Sequence, residues 1–268
     1  MNNSMKIASL IFAAGKGSRM KGYTGNKTVL PLVPDGDDVF QGNHPILTSI
    51  IDKLPAGPKA IVINHKKEDI IKVTSSFDVS YYEQPELNGT GGAMLAAMDF
   101  IKNEDYDYLL VTMGDTPLVK ASTFTKLVNK LSECHISILG FCPEDKKKYG
   151  VLDTDGSNVK KIIEWEYWNT YPDDEQKRLN ICNGGIYAIK RDALLKYLKL
   201  LSAQPHIVIK ERDSKKVEIK EYFITDMVEM MYNDGLKTGY AVAGDENEVM
   251  GVDDVDSLKR AQQLFQDA

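Results

Sequence analysis

The stretch KIASLIFAAGKGSRMK, Lys6 to Lys21, decides how the chain is read. Its first part, Lys6 to Phe12, is a short apolar run with the residue types that favour a strand. Directly behind it, Gly15 and Gly17 predict a tight turn, Ala13 to Lys21, at the carboxyl edge of a sheet, with backbone N–H groups free to face an anion. Lys16, Arg19, Lys21 and Lys27 add four positive charges, and no carboxylate stands between Ala13 and Leu30. A solvated basic turn is the alternative, but position, glycines and charge agree on a phosphate-binding loop.

That local excess stands out because the chain as a whole is acidic, with 33 Lys+Arg against 39 Asp+Glu and a formal net charge of -6. Bulk electrostatic binding of nucleic acid or of an anionic membrane needs the opposite balance, so neither partner is expected. With 268 residues, 43% hydrophobic and 27% charged, the composition is that of an ordinary globular protein. No run approaches the roughly 18 to 20 apolar residues of a membrane span. Cys134, Cys142 and Cys182 are odd in number and lack metal spacing, which predicts reduced, buried thiols and a cytoplasmic protein.

Working outward, strands are expected at Lys6–Phe12, Ala60–Ile63, Val79–Tyr82, Tyr108–Met113 and Ile136–Phe141. Between them helices are expected at Ile46–Leu54, Glu68–Ser75, Thr90–Ile101 and Ser122–Leu131. This βαβα rhythm predicts a parallel sheet covered on both faces. From Pro143 charged loops separate shorter strands, Tyr149–Leu152, Val159–Glu164 and Gly185–Ile189, as in an insertion or lid built on the main sheet. Helices are again expected at Arg191–Leu201, Ile224–Asn233 and Val255–Phe265, the last capped by Asp254 or Asp256. One α/β domain over 1–268 is expected, with halves of about 1–142 and 143–268.

The Walker A pattern is absent, and the dinucleotide pattern G-x-G-x-x-G fails at Met20. Several ordered motifs instead make the chain resemble the sugar-1-phosphate nucleotidyltransferases, especially the N-terminal uridylyltransferase domain of the bacterial bifunctional N-acetylglucosamine-1-phosphate enzyme. They are IFAAGKGSRM from Ile11, NKTVLPL from Asn26, QPELNGTGGA from Gln84 and GDTPL from Gly114. Later come YGVL from Tyr149, Glu164, NGGIY from Asn183, EYFITD from Glu221 and GVDD from Gly251. The resemblance implies a Rossmann-like, mostly parallel sheet with helices on both faces and extra β elements in the C-terminal half. It also implies a reaction between a nucleoside triphosphate and a sugar 1-phosphate that releases pyrophosphate. The acetyl-transferring β-helix of the bifunctional enzyme would lie outside this chain, so no acetyl transfer is expected of it.

Carried over position by position, the resemblance makes Ala13, Ala14, Gly15 and Gly17 a cradle for the nucleotide and Arg19 and Lys27 the catalytic cations. Mg²⁺ would be held by Asp115, at the end of an apolar strand, and Asp253, which could also be a helix cap. Gln84, Gly89 and Thr90 would read the base; the same residues are ordinary turn formers. Gly150, Glu164, Asn183 and Thr225 would meet the sugar. The implied substrates are UTP and N-acetylglucosamine 1-phosphate, with another nucleotide, a phosphorylated alcohol such as phosphocholine, or a non-catalytic sensor as alternatives. Departures from the family pattern bear on that choice: Asn26 replaces a usual proline, Met113 a tyrosine, Gly92 a frequent histidine, and the 33–44 loop is long. The aromatic stretch EWEYWNTY, from Glu164, could stack on a sugar, close as a lid, pack, or meet another subunit.

Overall fold

The computed structural model describes residues 5–212 and 215–267. Its strands are β1 Ile7–Phe12, β2 Pro31–Asp35, β3 Asp38–Pro45, β4 Lys59–Ile63, β5 Ser80–Glu83, β6 Tyr108–Met113 and β7 Ile136–Phe141, followed by β8 Val151–Asp155, β9 Asn158–Ile163, β10 Cys182–Lys190, β11 His206–Arg212, β12 Lys215–Glu221 and β13 Thr238–Val242. The main sheet runs β13-β7-β10-β6-β1-β4-β5, with β8 pairing to β10 and β9 to β8. Strands β6, β1, β4 and β5 are mutually parallel, as expected from the βαβα rhythm. Strand β10 enters between β6 and β7 antiparallel to both, so the sheet is mostly and not wholly parallel. Residues on both sides of position 142 therefore share one sheet.

The two faces carry separate apolar layers. Alternating side chains of β1 divide between them, Ile11 on one face and Ala8 and Leu10 on the other, all fully buried. The second layer includes Phe100, Tyr197 and Met227 from helices Met98–Asn103, Arg191–Ala203 and Ile224–Asn233. Strands covered on both sides are what the nearly unbroken apolar run of β6 requires. The expected helix over Thr90–Ile101 is interrupted: Thr90–Ala96 and Met98–Asn103 meet at Ala97, whose N–H reaches back to the carbonyls of both Ala93 and Met94. Among the described residues, no helix is long and apolar enough to cross a membrane.

Three sequence expectations are corrected. The 33–44 segment is a β-hairpin, β2 with β3, not a loop. Its prolines and glycines hid it, yet a two-stranded edge tolerates Pro31, Pro34 and Pro45, and Gly42 takes φ +147° where a Cβ would meet the Val33 carbonyl. Gln262 of the C-terminal helix Val255–Gln266 clamps it, donating to the carbonyls of Pro31 and Val39 at 2.9 and 2.8 Å. The β11–β12 hairpin and β13 had no counterpart in the sequence reading. Cys142 is exposed, whereas Cys134 and Cys182 are buried as expected, and all three are free thiols.

The two halves are stitched together behind β5. Residue Tyr222 donates its N–H to Asn88 O at 2.9 Å and accepts from Gly91 N at 2.8 Å. Next to it, helix Ile224–Asn233 begins at Phe223, which supplies no capping side chain, and Thr90 Oγ1 accepts the Ile224 N–H at 3.1 Å instead. An orphan donor of one helix is thus satisfied by a residue 134 positions away. Thr90→Val keeps the shape and removes the acceptor, and it should lower the stability of the fold by about 1 kcal/mol. Thr90→Ser should retain it; equal urea midpoints for the Val and Ser variants would remove the cap from this account.

Candidate active site

The site begins where β1 ends. Strands β1 and β6 pair in register to their last residues, Phe12 opposite Met113, and Gly114 N–H then bonds Phe12 O at 2.8 Å. The glycine-rich loop and Asp115 therefore emerge side by side. From β1 the chain crosses to β4 and β5 on one side and returns to β6 on the other, so this crevice is the sheet's topological switch point, where open α/β sheets bind ligands. Gly17 has φ +59°, and the space its side chain would fill is taken by the stem of Lys27, 3.3 Å from the Cβ position.

Lys27 stands on a short 3₁₀ turn, Lys27–Val29, fixed by the fully buried Asn26. Asn26 Oδ1 accepts from Thr28 N at 3.0 Å and Thr28 Oγ1 at 2.8 Å, while Nδ2 donates to His65 O at 2.7 Å and Ala13 O at 3.3 Å. The turn aims the Lys27 ammonium at two carboxylates, Asp115 Oδ2 at 2.5 Å and Asp253 Oδ1 at 2.8 Å. Arg19 reaches the same Asp253 oxygen at 2.8 Å. Burial works against the charge on Lys27, but Asp115 and Asp253 outweigh it and raise its pKa above the ordinary lysine value. Lys27 is therefore a fixed cation near neutral pH and not a proton-accepting base.

Asp253 is free for this role because its neighbour does the capping. Asp254 Oδ1 accepts from Ser257 N at 2.9 Å and starts helix Val255–Gln266 with a capping box. Asp115 is tied to the same loop through its own carbonyl, which accepts from Val252 N at 2.8 Å.

Ala13, Ala14, Gly15, Gly17, Arg19, Lys27, Gln84, Gly89, Thr90, Asp115 and Asp253 all line one open cavity of about 530 Å³. Glu164 and Thr225 line a second of about 400 Å³, together with Tyr167, His206 and Asp226, and Phe223 borders both. Gly150 and Asn183 line neither. Asn183 N–H donates to Gly150 O at 2.8 Å, and a Cβ on Gly150 would lie 3.1 Å from Glu164 Oε2. The Asn183 amide is occupied with the buried Tyr187 hydroxyl at 2.9 Å.

Glu164 is exposed as a residue, but its carboxyl sits within the second cavity. Partial burial, with the nearby charges of Glu166 and Asp226, pushes its pKa above the usual glutamate range. Asp226, by contrast, is paired with His206 at 2.8 Å. The aromatic stretch divides by role. Trp168 Nε1 donates to Tyr149 O at 2.8 Å and carries Lys146 over its ring at 4.4 Å, which holds the turn before Gly150. Tyr167 is exposed on the cavity wall. The sequence reading missed Phe223 and Asn88, although both lie inside quoted motifs, His206, which lies in none, and the bonding of Asn26, for which the missing proline was the signal.

A family model described as the MobA-like NTP transferase domain matches residues 9–168. The bifunctional protein GlmU of Hydrogenobaculum sp. is 32% identical over 97% of this chain and 53% of its own length. GlmU of Campylobacter lari is 32% identical over 98% of this chain and 55% of its own length. The chain thus spans about half the length of the curated relatives it matches. In structure it is similar to the uridine diphosphate N-acetylglucosamine pyrophosphorylase from Trypanosoma brucei, solved with an inhibitor, at a TM-score of 0.72. That likeness covers 96% of this chain and 64% of the other at 13% identity, and it is one of fold. With more than half of its residues inside the family match, the chain belongs to the MobA-like NTP transferase family.

Proposed function

We propose that this chain is a divalent-metal-dependent sugar-1-phosphate nucleotidyltransferase that joins UTP to N-acetylglucosamine 1-phosphate and releases pyrophosphate. The observation that carries the reading is the convergence of Lys27, Arg19, Asp115 and Asp253 in the crevice beside the glycine-rich loop. Two carboxylate oxygens that meet on one ammonium form a hard-oxygen site of the kind Mg²⁺ takes, with phosphates and water completing its shell. Among the described residues no cluster of three or more His, Cys, Asp or Glu could hold a metal, so in this reading phosphate oxygens and water would complete the shell around the two carboxylates. When bound there, Mg²⁺ supplies charge neutralisation at the reacting phosphates.

The remaining work falls to the protein. Backbone N–H groups of the glycine-rich loop would cradle the triphosphate, and Arg19 would hold its departing end. Lys27 would lie between the α-phosphate and the incoming sugar phosphate, offsetting the repulsion of two anions brought into line. Positioning and electrostatics dominate such transfers. The sugar would sit in the second cavity, where the Glu164 carboxylate has no hydrogen-bonding partner among the described residues and is ready to accept sugar hydroxyls.

The direct test is pyrophosphate release with Mg²⁺, pairing UTP, CTP, ATP, GTP and dTTP with N-acetylglucosamine 1-phosphate, glucose 1-phosphate and phosphocholine. Release with UTP and N-acetylglucosamine 1-phosphate, stopped by EDTA, is expected; silence across the panel from folded protein overturns the reaction, and release with another pair overturns the substrates. Asp115→Ala and Lys27→Ala should each lower kcat by about 10²-fold or more with an unchanged circular dichroism spectrum. Wild-type turnover in either would refute its assigned role.

Glu164→Gln should raise KM for the sugar phosphate more than KM for the nucleotide. It should also raise stability slightly at neutral pH. A carboxyl whose folded pKa is raised favours the fold when protonated and loses that contribution as pH rises through the folded pKa. The thermal advantage of the variant should therefore vanish as pH falls into the ordinary carboxylate range; a constant difference in Tm from pH 4 to 8 would contradict this cause.

A further inference from the structure

Gln84 is buried and lines the larger cavity. Its side-chain nitrogen donates to Gly89 O at 3.1 Å and to Asn88 Oδ1 at 2.9 Å. A backbone carbonyl can only accept, so the Gly89 contact settles which end of the Gln84 carboxamide is the NH₂ and makes the facing Asn88 atom the oxygen. Both amide hydrogens are thereby engaged. What Gln84 retains is Oε1, a pure acceptor that meets no protein donor among the described residues.

Asn88 does not border the cavity and acts only through Gln84. Its backbone is fixed by the Tyr222 N–H bond to Asn88 O at 2.9 Å. Its side chain occupies the space that any residue other than glycine would claim at position 92, since a Cβ there would fall 1.8 Å from Asn88 Oδ1. The absence of a side chain at Gly92 and the presence of one at Asn88 are a single arrangement.

We infer that Asn88 is a positioning residue that holds Gln84 as a hydrogen-bond acceptor and so selects a nucleotide whose base edge carries a ring N–H. The inference rests on the nucleotidyl-transfer reading in placing the base at Gln84. Uracil and thymine carry such a group at N3 and guanine at N1. Cytosine N3 and adenine N1 are bare acceptors, and would face Oε1 lone pair to lone pair. Without Asn88, the Gly89 carbonyl alone holds the NH₂ in place, so the carboxamide turns over at lower cost and can offer its NH₂ to cytosine.

The test is kcat/KM, together with calorimetric binding, for UTP, dTTP, GTP, CTP and ATP. In the wild type the best nucleotide should be one with a ring N–H, and it should exceed CTP by at least about tenfold. Asn88→Ala should reduce that ratio by roughly fivefold or more, Asn88→Asp, which keeps the acceptor, should preserve it, and Gly92→Ala, which takes Asn88's space, should reduce it as Asn88→Ala does. General loosening of the site would lower all nucleotides together and leave the ratio alone. A wild-type preference for CTP or ATP, or a ratio unmoved in both Asn88→Ala and Gly92→Ala, overturns the inference while transfer stands. The expected binding preference without pyrophosphate release overturns the transfer reading and leaves the role of Asn88 supported.

Discussion

One largely buried ammonium organises the site of this molecule. Lys27 meets Asp115 and Asp253 across separations of 88 and 226 residues, so a single cation joins the loop after β1, the end of β6 and the approach to the last helix. Drawing the Lys27 ammonium largely out of water is unfavourable, and the partly exposed carboxylates of Asp115 and Asp253 offset this only where geometry is fixed. The supports are the capped 3₁₀ turn beneath Lys27, the Val252 bond to the Asp115 carbonyl, and Asp254 taking the helix cap so that Asp253 need not. For stability alone an apolar cluster would serve as well, so the arrangement points to chemistry. Under the proposed reaction the phosphates would pair with Lys27 and Arg19, and Asp115 and Asp253 would hold the divalent cation.

The sheet determines where that cation can stand. Because β1 lies between β4 and β6, the loops leaving its carboxyl edge part in opposite directions and open a crevice lined by Phe12 and Met113 at the ends of β1 and β6. Strand β10, running against β6 and β7, then brings the second half of the chain back into the same layer. Through it Asn183 is bonded to Gly150, and Phe223, at the start of helix Ile224–Asn233, lines both cavities. The proposed nucleotide and sugar sides are thus neighbouring cavities that share Phe223.

Much of this was legible in the sequence wherever the cause was local. Strand β1, its glycine turn and the strand ending in Asp115 declare themselves through contiguous apolar runs and glycines, and the C-terminal helix through its Asp254 cap. The antiparallel entry of β10 was not legible, since strand direction in a sheet is fixed by partners far away in sequence. The β2–β3 hairpin was masked by proline and glycine, whose usual meaning as loop formers reverses at an exposed edge. Of the proposed sugar-side positions, Glu164 and Thr225 line the second cavity, while Gly150 and Asn183 are joined to each other by a backbone hydrogen bond, with Gly150 beside the Glu164 carboxylate.

The two asparagines outside the motif roles carry the lesson further. At position 26 the family pattern has proline, which stiffens a turn by its ring and offers no donor. Asn26 stiffens the same turn through its side-chain oxygen, and its side-chain nitrogen does something proline could not: it fastens the carbonyl of Ala13, after β1, to that of His65, after β4. The loops flanking the switch point are thereby tied to each other as well as to Lys27. Asn88 uses the same amide chemistry on Gln84. In both places a side chain that never meets the cavity decides the orientation of one that does. The residues that line the site therefore state the class of chemistry, and the buried amides behind them state how sharply it is aimed.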